Sequence, residues 1–333
     1  MRDLPRGAAR VGPICMIPAL LREGGVEPAA VFAAAQLDPR LLEDPENFIS
    51  YQSLGRIVGA VAEALNRPHL GLSVGEINGL AHIGPVAEFA AHAPNVGAAL
   101  KDFVEHMPMF DRGGMVSLLA DKDAVTFSYM ITEPDVSAAE IIREGTVAIM
   151  VHVLRDLCGA GWEPDLVLFP HRLRGPLQPY QKYFRAPVHF NASIAGCVFA
   201  ARWLDQPVAK ADSALRTSLR KKASPPAYAS FGDLVRREIQ LTMPAGLVEA
   251  EVARRLDVDC STLRRRLARE GESFRAIIQE IRYQLARQLI RESELTLAEI
   301  AAALGFGELS VFSRAFRRWS GKTPSDWRKD GAT

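Results

Sequence analysis

The sequence lacks several features that mark other classes of protein. Only four of its 333 residues are cysteine, and none forms a C-x-x-C pair or a cysteine–histidine cluster with zinc spacing, which indicates a reducing compartment and no zinc site. No apolar run approaches the roughly 18 residues of a membrane span, and the N-terminus has no apolar stretch of signal-peptide type. We therefore expect a cytoplasmic protein that does not contact membranes.

Enzymatic motifs are also missing. There is no phosphate-binding loop, dinucleotide fingerprint or nucleophile elbow, and Gly159-Ala160-Gly161 lacks the third glycine of a cradle. Histidines 82, 92, 106 and 152 are scattered singly, which favours core-edge or surface positions over metal ligation. We expect no enzyme, no cofactor and no metal ion.

Charge is distributed unevenly along a chain whose net charge is only +1. Residues 1–206 carry 17 basic against 23 acidic side chains, whereas residues 207–333 carry 23 against 16. A basic rear half favours a polyanionic partner for that half. Chance variation among solvated charges is the alternative explanation of the same counts.

The pattern of the front half predicts a mixture of helices and strands. Apolar segments 115–119 and 125–131 flank a plausible hairpin turn at residues 120–123, and further short strands are predicted near 166–169 and 198–201. Glycines 71, 75, 79 and 84 punctuate the helical stretches. The predicted fold class is α+β: a mixed N-terminal domain with an antiparallel sheet, followed by an all-α C-terminal domain.

Composition suggests the domain boundaries. We predict a flexible tail over 1–10, a mixed front domain over 11–206, a linker over 207–230 and a helical rear domain over 231–330. The linker contains Pro225-Pro226, which cannot continue a helix, so one helix is expected before the prolines. Seven helices are predicted behind it, at 231–241, 247–256, 261–270, 274–291, 297–304, 309–320 and 324–328.

An internal repeat lies within these helices. Residues 251–258 match residues 299–306 at an offset of 48, and after the turn the offset becomes 49. Each copy has the pattern of a helix-turn-helix. Small Ala253 allows close helix approach, and Gly305 suits a turn with positive φ, where Asp257 stands in the first copy.

The second helix of each copy buries one face and exposes the other. Leu263 and Leu267, or Phe312 and Phe316, share the buried face at i, i+4 spacing. Arginine suits guanine edges and phosphates, and serine or threonine suits either. We expect the early residues to contact bases and the later arginines to follow the phosphate backbone. The exposed faces hold Ser261, Thr262, Arg264, Arg265 and Arg269 in the first copy, and Ser310, Ser313, Arg314, Arg317 and Arg318 in the second.

The helix predicted at 274–291 joins the two copies. Its 18 residues span roughly 27 Å, close to the roughly 34 Å between successive major-groove faces. One chain therefore presents two recognition helices to neighbouring turns of a duplex. The alternative to DNA binding is a helical bundle whose arginines are simply solvated. Two copies of the repeat, both with arginines on the predicted exposed face, count against that alternative.

Residues 231–328 resemble the DNA-binding domain of the AraC/XylS family of bacterial regulators. The matching stretches are 251–271 and, more strongly, residues 297–301, 304–306, 312–319 and 321–324. The resemblance implies base-reading positions at Ser261, Arg264, Arg265, Leu309, Ser310, Ser313 and Arg314. Leu309 stands where members of the family often carry a polar reader, so an apolar contact with a thymine methyl group is expected there. Asp257 replaces the usual turn glycine.

The front half is similar to the N-terminal domain of the AraC subgroup that responds to ornithine or arginine. The matching residues lie at 169–171, 180, 184, 186–188, 190 and 203–207. That subgroup's domain binds ligands or dimerises, so the resemblance implies an effector-binding or dimerisation domain over 11–206. The resemblance of the rear half implies a DNA-binding domain over 231–330. His171, Arg172, Arg174 and Tyr180 are candidates for an anion or carboxylate pocket, with a surface loop fixed by Phe184 and Phe190 as the alternative.

The predicted function is that of a ligand-responsive, sequence-specific transcription regulator. Double-stranded DNA is the expected partner, the chain is expected to form a homodimer, RNA polymerase is a further candidate partner, and the small-molecule effector is unknown. A protein-interaction adaptor, in which the helical rear half binds another protein and not DNA, is the competing class. A catalytic front domain fused to a DNA-binding tail would need a reactive constellation, which the sequence does not show.

Overall fold

The computed structural model describes residues 4–80, 83–222, 230–242 and 249–330. These residues form two compact units. Unit 1 holds the described residues up to 222 except 170–172 and 191–193, which cluster with residues 230–330 in unit 2. The predicted fold class is confirmed, since a mixed α/β unit is followed by a helical one. Over the described residues, no helix has both the length and the apolar character needed to cross a bilayer.

Unit 1 contains two sheets. The strands are β1 (Ala8–Arg10), β2 (Phe48–Ser50), β3 (Gly114–Ala120), β4 (Ala124–Ile131), β5 (Leu166–Leu168), β6 (Val188–His189) and β7 (Ala195–Ala200). β1 and β2 form a small antiparallel pair, and the other five form a sheet in the order β3-β4-β7-β5-β6. All neighbours in the larger sheet are antiparallel except β5 and β6.

The predicted hairpin is present at the edge of the larger sheet. Gly114 pairs with Ile131 and Ala120 with Val125, so the turn falls in the expected segment. Along β4, Val125, Phe127, Tyr129 and Ile131 are all buried. Their alternation is the period of a strand with one face on a core.

Nine α-helices accompany the sheets in the described part of unit 1. They are α1 (Ile17–Glu23), α2 (Pro28–Ala34), α3 (Tyr51–Ala64), α4 (Leu70–Ile77), α5 (Pro85–Ala90), α6 (Val96–His106), α7 (Ala139–Cys158), α8 (Gln178–Phe184) and α9 (Ser213–Lys222). Helix α7 is buried along most of its length, and α4 packs along it.

Two glycines permit the close packing of α4 on α7. A Cβ atom on Gly71 would lie 2.6 Å from Cβ of Glu144, and one on Gly75 would lie 2.1 Å from Cβ of Ala148. Both glycines are inside the helix, so the prediction that they interrupt helices was wrong. Their lack of a side chain serves a helix contact.

The N-terminal segment is ordered by strand pairing. Ala8 pairs with Ser50 and Arg10 with Phe48, and all three residues of β1 are buried. The prediction of a flexible tail over 1–10 was therefore wrong for residues 8–10, because pairing with β2 satisfies their backbone groups. Residues 1–3 lie outside the described residues.

Helix α9 is part of unit 1. Arg216 donates from Nε and Nη2 to the two carboxylate oxygens of Asp102, at 2.9 and 3.0 Å, and Arg220 pairs with Glu105 at 2.7 Å. The predicted linker over 207–230 was therefore wrong over 207–222, because ion pairs to α6 hold this helix on the front unit. The helix itself was predicted correctly, and residues 223–229 lie outside the described residues.

Unit 2 consists of helices around two small cores. The helices are α10 (Phe231–Thr242), α11 (Glu249–Arg255), α12 (Cys260–Arg269), α13 (Phe274–Glu292), α14 (Leu297–Ala303), α15 (Leu309–Ser320) and α16 (Pro324–Asp330). The seven predicted helices match these closely, except that residues 247 and 248 lie outside the described residues. The first core contains Val252, Leu263 and Ile277, and the second contains Leu289, Ile300 and Phe316.

Candidate DNA-binding surface

The first helix-turn-helix is formed by α11 and α12. Val252 and Ala253 of α11 are buried against Leu263 and Leu267 of α12. Asp257 lies between them with a φ of +54°. The turn therefore uses the left-handed conformation predicted for this position, which an aspartate adopts more readily than most residues.

The second helix-turn-helix is formed by α14 and α15. Thr296 and Glu299 make a reciprocal capping box that begins α14. Gly305 then turns the chain with a φ of +74°, and Phe312 and Phe316 of α15 are buried. Both helix-turn-helix motifs are therefore present at the positions that the local sequence signals predict.

The predicted DNA-reading faces are mostly exposed. Thr262 and Ser313 are half-buried, and the remaining predicted residues are exposed: Ser261, Arg264, Arg265, Arg269, Leu309, Ser310, Arg314, Arg317 and Arg318. Leu309 and Val311 are exposed large apolar side chains on the first turn of α15, each with more than 40% of its surface accessible. An apolar contact with a thymine methyl group suits such a pair.

Asp259 organises the tip of α12. Its carboxylate accepts hydrogen bonds from the hydroxyl groups of Ser261 and Thr262, at 2.6 and 2.9 Å, and from the backbone N–H of Thr262. These bonds, with the one from Ser261 the largest contribution, lower the pKa of Asp259 below its usual range. Both hydroxyls are therefore held as donors to the cap in the described structure.

Arg264 is also engaged within the protein. Its Nε and Nη2 atoms donate to the two carboxylate oxygens of Glu249 on α11. Arg265 of the same helix donates from Nη2 to the hydroxyl of Thr262 at 3.3 Å, and no carboxylate among the described residues pairs with it. Sequence reasoning treated the two arginines alike, and the structure distinguishes them.

The arginines of α15 are less restrained. No carboxylate in the described part of the chain pairs with Arg314, Arg317 or Arg318. Arg314 and Arg318 line a cleft of about 420 Å³ together with Arg275 and Arg282 of α13. Among the residues that the structure describes, no acidic side chain lines that cleft. Its charge suits an anion such as a backbone phosphate.

Sequence reasoning missed Arg275 and Arg282. They lie seven residues apart on α13, and that spacing places them on one face of a helix. Arg282 also stacks on Phe306, with 4.8 Å between the guanidinium carbon and the ring centre, and burial lowers its pKa. The i, i+7 spacing was a usable signal, but only the packing of α13 beside α15 brings all four arginines together.

Helix α13 joins the two helix-turn-helix units by packing on both. Phe274, Ile277 and Ile281 enter the first core, whereas Ala286, Leu289 and Ile290 enter the second. Its 19 residues extend about 28 Å, and at 100° per residue the two buried faces lie roughly 140° apart. The two helix-turn-helix motifs therefore pack on different sides of α13.

The four candidate effector residues do not form one site. Tyr180 is buried and donates from its hydroxyl to Oε1 of Glu144 at 2.8 Å, and Arg174 pairs with Glu140 at 2.5 Å. His171 is buried and Arg172 is exposed, and both cluster with unit 2. The predicted grouping of these four around an anion pocket is not reproduced, since two of them already serve contacts inside unit 1.

Unit 1 instead encloses a large cavity in another place. Its volume is about 490 Å³, and its lining includes Leu54, Val58, Phe103, Phe127 and Ile149. None of the four predicted effector residues lines it. No local pattern of residues predicts this cavity, because its walls come from segments that are far apart along the chain.

One cluster in unit 1 has metal-ligand chemistry. Asp102, Glu105 and His106 place candidate ligand atoms within 4.8 Å of one another. Both carboxylates already pair with Arg216 or Arg220. The docking of α9 accounts for this cluster.

Comparison with known proteins gives a match over both units. Residues 25–208 match the family model described as the arabinose-binding domain of AraC transcription regulator, N-terminal. Residues 252–330 match a helix-turn-helix domain model. Together these two matches cover most of the chain.

Individual relatives match along nearly the whole chain. The chain is 27% identical to the ornithine utilization regulator of Pseudomonas aeruginosa, over 96% of this chain and 97% of the relative. It is 28% identical to the transcriptional regulator VirS of Mycobacterium tuberculosis, over 94% of each. The crystal structure of the regulator CdpR from Pseudomonas aeruginosa matches 90% of this chain and 96% of its own, with 26% identity and a TM-score of 0.41.

Proposed function

The chain belongs to the AraC family of DNA-binding transcription regulators, and from this premise we propose that one chain reads two adjacent major-groove segments of a single duplex. Helix α12 enters one segment and α15 the next. The observation that carries the proposal is the pair of exposed arginine faces on these two helices, joined by α13.

The side chains on these faces take two roles. Ser261, Arg265, Leu309, Ser310 and Arg314 contact base edges, because they lie on the early turns of the recognition helices. Thr262, Arg264 and Ser313 also contact base edges. Arg264 does so after its ion pair with Glu249 has broken. The later arginines bind phosphates, namely Arg269, Arg317 and Arg318.

The cleft between α13 and α15 strengthens the phosphate role. Arg275 and Arg282 of α13 line it together with Arg318 of α15, and the described residues of the lining include no acidic side chain. A phosphate beside this cleft would be neutralised from two helices. The second helix-turn-helix is therefore the more strongly anchored of the two.

Unit 1 supplies regulation in this proposal. A small effector bound in unit 1 favours one of two arrangements of the chain and so changes DNA affinity. Two chains associate as a homodimer and occupy two such sites, in the cytoplasm, where RNA polymerase is the further partner. Coupling requires the effector to bind the two arrangements with different affinity.

Selection of duplexes from a random DNA pool by the full-length chain tests the reading of two segments. We expect enriched sequences with two conserved segments whose centres lie about 10 base pairs apart. A chain carrying Arg314→Ala should retain the conserved bases of one segment and lose some in the other. Enrichment of a single short segment, or of none, would contradict the proposal.

A further inference from the structure

The walls of the cavity in unit 1 are apolar. Aliphatic and aromatic side chains make up most of the lining, among them Leu54, Phe103, Val116, Phe127, Ile149 and Val153. They come from α3, α6, β3, β4 and α7. The volume of about 490 Å³ falls in the range of roughly 300–1,000 Å³ found for small-ligand sites.

The polar side chains in the lining already have partners inside the protein. The hydroxyl of Tyr51 donates to the Asp111 carboxylate, whose Oδ1 also accepts from the backbone N–H groups of Gly113 and Gly114. The Thr146 hydroxyl donates to the carbonyl oxygen of Ile142 at 2.9 Å. Cys15 Sγ donates to the carbonyl oxygen of Val11.

The remaining polar pair lies at the rim. Arg10 donates to the carbonyl oxygens of Met109 and Glu46, and its Nη1 lies 3.1 Å from Oε2 of Glu46. About half of the Glu46 side chain is exposed, whereas that of Arg10 is buried. This pair forms the rim of the cavity, because Glu46 carries the polar lining out to solvent.

We propose that this cavity is the effector site and that it binds a predominantly apolar small molecule, such as an alkyl chain or fused aromatic ring system, with any polar group at the Arg10–Glu46 rim. Calling the bound molecule an effector rests on the proposed function, whereas its binding in the cavity does not depend on that function. A sugar or an amino acid does not suit the site, because its several hydroxyl or charged groups would lose water and find few partners.

Binding of Nile red to the full-length chain tests the proposal. We expect saturable fluorescence enhancement that decanol competes away and that L-arabinose and L-ornithine at the same concentration leave unchanged. Ile149→Trp fills the cavity and should weaken dye binding about tenfold or more, whereas Ile149→Val should change it less than about threefold. If Ile149→Trp shows no cooperative thermal unfolding, Val116→Phe replaces it as the variant that fills the cavity, from β3.

The outcomes separate the two proposals. Absence of saturable binding, equal binding by a folded filled variant, or competition by arabinose or ornithine overturns the apolar site. Binding of selected duplexes, measured by fluorescence anisotropy on the same samples, reports on the DNA-reading proposal alone. Dye binding without DNA binding would overturn the DNA-reading proposal and support the apolar site. DNA binding without dye binding would overturn the apolar site and support the DNA-reading proposal.

Discussion

Glu249 and Arg264 form a two-point ion pair across the first helix-turn-helix, with the Nε–Oε1 and Nη2–Oε2 distances both 2.8 Å. The pair raises the pKa of Arg264 through the hydrogen bond with Glu249. Arg264 stands on the recognition helix, and Glu249 begins the helix before it. Glu249 therefore occupies the Nε–Nη2 edge of this guanidinium, and a base or phosphate must displace it to bind that edge.

Glu249→Gln is expected to tighten DNA binding. The substitution removes a negative charge beside the DNA-reading face and releases Arg264, so we expect a gain of about two- to fivefold at low salt. Fluorescence anisotropy with a labelled duplex measures it. Glu251→Gln, which alters the Arg254 pair on the same helix, is the matched control. Weaker binding by Glu249→Gln would show that Glu249 positions Arg264 for DNA.

Arg265→Ala and Arg314→Ala are expected to relax base selection at different places in the operator. Each should cost about 1–3 kcal/mol at one site position, because a bidentate contact to a base edge is lost. Binding to a set of single-base operator variants separates the two positions. Arg22→Ala, an exposed residue of α1 in unit 1, should bind as the parent does. If either variant kept the base preference of the parent at every operator position, the substituted arginine would not be a base-reading residue.

Arg318→Ala is expected to weaken binding to all sequences alike. A phosphate contact carries no base information, so the slope of log affinity against log salt should fall in magnitude by about one. Titrations at several salt concentrations with an operator and an unrelated duplex measure this slope. Arg282→Ala should act in the same direction through the shared cleft. If the operator alone lost affinity, Arg318 would be a base reader.

Glu144→Gln is expected to remove a pH dependence of stability. Burial raises the pKa of Glu144 to about 8, so between about pH 4.5 and pH 8 the folded chain holds a proton that the unfolded chain has released. The free energy of unfolding should therefore fall as the pH rises through this window, by about 1.4 kcal/mol per unit from this group. Glutamine is neutral throughout and keeps an acceptor for Tyr180.

Urea unfolding at pH 5, 6, 7 and 8 measures the difference. The variant should be the more stable protein at pH 8, and the two stability curves should converge toward pH 5. Glu23→Gln on α1, an exposed position, serves as the control and should run parallel to the parent. Parallel curves for Glu144→Gln would mean that Glu144 is ionised in the folded chain at neutral pH.

The helical half of this protein follows from local sequence signals. Thr296 with Glu299 starts a helix, Gly305 turns the chain, and Phe312 with Phe316 marks the buried face of α15. These signals act over a few residues, since caps, positive-φ turns and helical periodicity depend on near neighbours. Near-neighbour signals are therefore enough to predict both helix-turn-helix motifs and the exposed faces that carry their arginines.

Other features depend on contacts between residues that are far apart along the chain. Arg216 belongs to unit 1 because Asp102, more than a hundred residues earlier, is buried beside it. Gly71 and Gly75 continue a helix because α7 packs against them. The cavity of unit 1, the arginine cleft and the Glu249–Arg264 pair likewise arise only when separate elements meet. Composition and periodicity describe a residue and its neighbours, whereas these features depend on which elements pack together.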